Sequence, residues 1–62
     1  MSGILRVNSM TGRSYIISLD KVIFLEESTD GESTYIHLIE NRTIQCTERI
    51  YDIEETIKRI LK

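Results

Sequence analysis

Four apolar residues in succession, Val22-Ile23-Phe24-Leu25, lie inside a stretch of β-formers that begins at Tyr15. Successive side chains of a strand point to opposite faces. A half-buried strand therefore alternates apolar with polar, and an unbroken apolar run requires cover on both faces. A chain of 62 residues has little material to supply both, because a domain of about 60 residues buries only about 60% of the surface its unfolded chain exposes. The expectation is a small strand-rich domain that covers one sheet face with its own helix and offers the other to a partner.

The remaining segments read in a simple order. Ile4 to Val7 is a short first strand, and Thr11-Gly12-Arg13 supplies a turn. Tyr15, Ile17 and Leu19 alternate with Ile16 and Ser18, and Asp20-Lys21 interrupts the run before Val22, which gives two strands or one sharply bent strand. Glu26 to Ser33 carries four acidic residues around Asp30-Gly31, a hairpin-turn pair. Thr34 to Ile39 places Ile36 and Leu38 on one face and Tyr35, His37 and Ile39 on the other, and Glu40-Asn41-Arg42 turns it into a strand over Thr43 to Thr47 with Ile44 and Cys46 facing inward.

After Cys46 the period changes from two to 3.6. Ile50, Ile53, Ile57, Ile60 and Leu61 form one helix face and Glu54, Glu55, Lys58, Arg59 and Lys62 the other. Thr47 is a candidate N-cap, and Asp52 with Glu55 is a rival start about one turn later. The fold class is thus α+β, a single domain over residues 1–62: an antiparallel meander of three to five short strands with one C-terminal amphipathic helix packed on one face.

Charge and motifs narrow the function. Eight Lys and Arg against ten Asp and Glu give a net charge of −2, so nucleic acid is not the default partner. One Cys cannot form an internal disulfide, and no apolar run approaches the roughly 20 residues that span a bilayer. No membrane insertion and a cytoplasmic location are expected. His37 has no second His and only a distant Cys46, so no metal or nucleophile constellation is visible; Glu26, Glu27, Asp30 and Glu32 lack calcium-loop spacing. No catalytic, cofactor or metal residue is assigned. Arg6, Arg13, Arg42 and Arg49 are the candidates for an anionic contact, and they are scattered along the chain.

Arg6-Val7-Asn8-Ser9-Met10-Thr11-Gly12-Arg13-Ser14-Tyr15-Ile16-Ile17, then Val22 to Glu26, Tyr35-Ile36-His37-Leu38, Asn41-Arg42-Thr43-Ile44 and Glu48-Arg49-Ile50 with the closing helix resemble the small flagellar FlbD and swarming-motility SwrD proteins over nearly the whole chain. The resemblance implies a motility-associated interaction module. From Ile17 to Leu61, Leu19 to Glu26 followed by Ser33 to Leu38 and a terminal helix is similar to the core of LytTR-type DNA-binding domains, which implies a small regulator that binds nucleic acid. The loop over Ser28 to Ser33 is acidic, and phosphate repulsion opposes that docking.

These features point to a non-enzymatic module that self-associates as a homodimer or larger oligomer, and/or docks on a larger protein, through its sheet. Tyr15, Ile16, Val22, Phe24, Tyr35 and His37 are the expected interaction residues.

Overall fold

The computed structural model describes residues 3–61. Its elements are β1 (Ile4–Asn8), β2 (Ser14–Ser18), a 3-10 turn (Leu19–Lys21), β3 (Val22–Glu27), β4 (Thr34–Leu38), β5 (Arg42–Cys46) and α1 (Ile50–Ile60). All strand pairing is antiparallel: β1 with β2 forms a hairpin, and β3-β4-β5 form a three-stranded sheet. The α+β meander with a C-terminal helix is therefore the fold, with the strands divided between two sheets. Among the described residues one bridge, Ser9 to Cys46, joins the sheets, flanked by Met10 N–H donating to the Gln45 carbonyl at 2.9 Å and Thr47 N–H to the Asn8 carbonyl at 3.0 Å.

One interior serves the whole chain. Leu5 and Val7 of β1, Ile36 and Leu38 of β4, Cys46 of β5 and Ile53 of α1 are buried together, with Ile17, Leu19, Val22, Leu25, Ile44, Ile57 and Ile60 packed around them. The inner face of the three-stranded sheet is thus covered jointly by the hairpin and by the helix, which divides a task expected of the helix alone. A helix of 11 residues spans only about 16 Å and is too short to cover a sheet face unaided.

The four-residue apolar run is resolved by a bulge. Val22 pairs with Leu38 and Phe24 with His37, so Ile23 is the extra residue between them. The irregularity breaks the alternation of faces. Val22 and Leu25 turn inward, while Ile23 and Phe24 stand 61% and 52% exposed. Val22, expected at an interface, is instead part of the core.

Several boundaries also move. The strand before the acidic hairpin runs through Glu27, so the loop occupies 28–33, and β5 begins at Arg42. Glu40 (φ 64°) and Asn41 (φ 60°) make the left-handed turn that precedes it. Neither Thr47 nor Asp52 caps α1. The N-cap is Arg49, without a side-chain cap, because Thr47 is engaged in tying β5 to β1 and the helix begins at Ile50. Leu61 lies past the last helical residue and is 57% exposed, so it leaves the expected buried stripe. Gly3 is required at its position: a Cβ there would overlap Ile60 Cγ2, so the start of the chain can pass directly under the end of the helix.

Candidate interaction surfaces

Two exposed surfaces gather the apolar side chains that the core leaves out. The first is a groove between β2 and β5. β2 has a neighbour, β1, on one edge only. Beside its free edge run three overlapping depressions. The middle one, about 420 Å³, is lined by Tyr15, Ile16 and Ile17 on one side and Leu38, Arg42 and Ile44 on the other. One end, about 370 Å³, adds Lys21, Ile39 and Glu40. The other end, about 190 Å³, adds Met10 and Thr11. Shared lining residues make the three one continuous channel along a five-residue strand, or about 17 Å of extended chain. Met10, Tyr15, Ile16 and Ile39 stand exposed along it.

Local structure positions each wall. Leu5 pairs with Ile17 and Val7 with Tyr15, so the same parity that buries β1 aims Tyr15 and Ile17 toward the second sheet. Ile16, of opposite parity, meets the channel across the free edge. On the far wall Leu38 pairs with Arg42 and Ile36 with Ile44, which sets Arg42 on the inner parity of β5 at the channel's open end. Lys21 and Arg42 are both exposed. The Lys and Arg ion pairs among the described residues are Arg49 with Glu32 and Lys58 with Glu54, and neither groove cation takes part in them.

The second surface is the outer face of the three-stranded sheet. Phe24 and His37 are cross-strand partners, stacked with ring centroids 4.2 Å apart and planes 15° from parallel. Such a pair contributes about 0.5–1.5 kcal/mol beyond its buried area. The His37 Nε2 lies 3.0 Å from Glu26 Oε1, and Nδ1 lies 3.4 Å from Thr43 Oγ1. Both ring nitrogens are thus occupied, which fixes the imidazole flat against Phe24. Hydroxyl, imidazole and carboxylate follow one another here across the sheet face, and Thr43 at one end of the row also lines the groove beside β2. Tyr35, half-buried, shares this face, opposite Glu26 and Gln45.

No protein-family profile, curated protein or solved structure matches the chain. The surfaces must therefore be read from their chemistry.

The other sequence candidates are engaged locally. Asp30 accepts from Ser28 Oγ at 2.7 Å and from the Glu32 N–H at 3.0 Å; the hydroxyl first, then the amide, hold its carboxyl below the usual value. Arg49 Nη2 sits 3.2 Å from Glu32, which withdraws one arginine into the acidic loop. Arg6 lies on the outer face of β1 opposite Ile16, so the four arginines do not form one patch. Among the described residues no group of three or more His, Cys, Asp or Glu could hold a metal ion, and no helix is long and apolar enough to cross a membrane. Cys46 is buried, and burial pushes its thiol up from its ordinary value.

Of the six expected interaction residues, then, Phe24, Tyr35 and His37 share the outer sheet face, Tyr15 and Ile16 line the groove, and Val22 belongs to the core. Of the groove's second wall, the sequence singled out Arg42 as a candidate for an anionic contact, and did not reveal Ile44, Ile39 and Lys21 beside it. Met10 and Ile39, exposed apolar residues beside turn signals, are a further trace of it in the sequence.

Proposed function

We propose that this chain is a binding module without chemistry of its own, which pairs with a second copy through the outer face of the three-stranded sheet and docks on a larger protein through the groove. The observation that carries the reading is the pair Ile23 and Phe24, two large apolar side chains turned to solvent by a bulge beside the unpaired edge of β3. Open edges next to apolar surface are sites of association. With each side chain already partly covered, burying the rest contributes roughly 1 kcal/mol apiece, and a two-fold contact counts each residue twice, for about 4 kcal/mol. A micromolar dimer requires about 8 kcal/mol. The remainder has to come from Tyr35 and from backbone pairing along β3. The resemblance to FlbD and SwrD supports a motility-associated partner. The acidic 28–33 loop argues against the LytTR-like alternative, in which it would approach phosphates.

Light scattering on the full chain across the micromolar range tests this. The expected result is a dimer or larger assembly that Phe24→Lys converts to folded monomer. A monomeric unmodified chain at all these concentrations refutes self-association.

A further inference from the structure

The groove has a chemistry of its own, and it specifies an occupant. It offers a free strand edge about 17 Å long, apolar walls on both sides, and two cations at one end with no ion-pair partner among the described residues. Glu40 is the single anion at that end, so positive charge is in excess in a chain whose net charge is −2. We infer that the groove receives an extended segment of a partner protein that adds as a strand to β2, with apolar side chains at alternate positions and carboxylates at the end that reaches Lys21 and Arg42. The inference rests on the docking role assigned to this groove and names the chemistry of what docks there.

Each part of the occupant answers a feature of the site. An added strand satisfies the backbone groups that β2 leaves unpaired, and it presents every second side chain to the same wall. Those side chains meet Tyr15, Ile17, Leu38 and Ile44, which favour apolar partners. Carboxylates face Lys21 and Arg42, and a basic segment meets the same cations with repulsion, so charge sets which segments are accepted and in which direction they run. A second copy fits less well: its exposed β2 edge would carry Ile16 but no carboxylate, since Ser14 to Ser18 contains none.

The test uses two blocked synthetic hexapeptides, Thr-Ile-Thr-Ile-Glu-Glu and Thr-Ile-Thr-Ile-Lys-Lys, titrated into the isotopically labelled full chain and followed by amide NMR. The expected result is saturable shifts in Ser14 to Ser18 and Arg42 to Ile44. The acidic probe should bind about tenfold tighter than the basic one, as two exposed charge contacts turn from attraction to repulsion. The double variant Lys21→Glu with Arg42→Glu should reverse the order, and Arg42→Gln alone should shrink the difference. Equal affinity of the two probes at the groove overturns the acidic occupant while leaving the docking role intact. No shift at the groove with either probe overturns both, and shifts confined to Phe24, Tyr35 and His37 assign peptide binding to the other face. A chain found by light scattering to pair through β2, and unaffected by the acidic probe, gives the groove to a second copy and also overturns the inference.

Discussion

Truncating Ile53 to Ala measures how much of the fold depends on one helical residue. Ile53 is 2% exposed and is the only fully buried side chain of α1, set between β1 and β3, the two strands the helix contacts most. The change removes three carbons, worth about 2.4 kcal/mol at roughly 0.8 per methylene, and leaves a cavity whose partial persistence raises the total to about 3–4 kcal/mol. A domain of this size has about 3–9 kcal/mol in all, so Ile53→Ala should populate the unfolded state visibly without denaturant, and Ile53→Val should cost about 0.5–1.5 kcal/mol. Leu61→Ala, at a site outside the helix and largely in water, should stay within about 0.5 kcal/mol. Urea unfolding followed by circular dichroism gives all three values, with protein concentration held fixed because association adds to apparent stability by mass action. If Ile53→Ala cost no more than Leu61→Ala, the helix would not be docked by this stripe and the assignment of the core would fail.

Glu40 occupies a left-handed conformation that glycine adopts freely, so Glu40→Gly should stabilise by up to about 1 kcal/mol in the same assay, the relief of strain outweighing the added chain entropy. The buried Cys46 thiol, raised by desolvation, should react with an aromatic disulfide reagent only as fast as the chain opens, and at once in urea. Asp30, held below its ordinary value by Ser28 and the Glu32 amide, stabilises the loop above the unfolded-state value and loses that contribution as pH falls through the folded one. Amide shifts of Glu32 and Ser33 should therefore move together on acidification below about pH 4, and Asp30→Asn should abolish the transition.

What the sequence disclosed follows the range over which each feature is encoded. The isoleucines of α1 recur at helical spacing and the alternation in β4 at spacing two, so Ile53, Ile36 and Leu38 could be placed inside from neighbours alone. The bulge at Ile23 depends on where β4 sets its register, so the faces of Val22 and Phe24 could not be told apart. The groove joins residues 15–17 to residues 38–44, a juxtaposition that only the closed fold creates. The helix start was misplaced because Thr47, well suited to capping, is recruited by a strand far away in the chain.

That recruitment also dictates the order in which the fold can be completed. Among the described residues the two sheets are joined by one bridge and its flanking bonds, among them Thr47 to Asn8 across 39 residues. Closing so long a loop costs entropy before any contact rewards it. Until Cys46 and Thr47 are in place, the bridge and its flanking bonds cannot hold the β1-β2 hairpin against the second sheet, and Leu5 and Val7 lack the Cys46 and Ile53 side chains that complete their cover. A growing chain that has reached only β4 therefore has Ile36 and Leu38 but neither Cys46 nor Ile53 to set against the apolar face of its hairpin, and the arrival of the last strand and helix completes the shared interior.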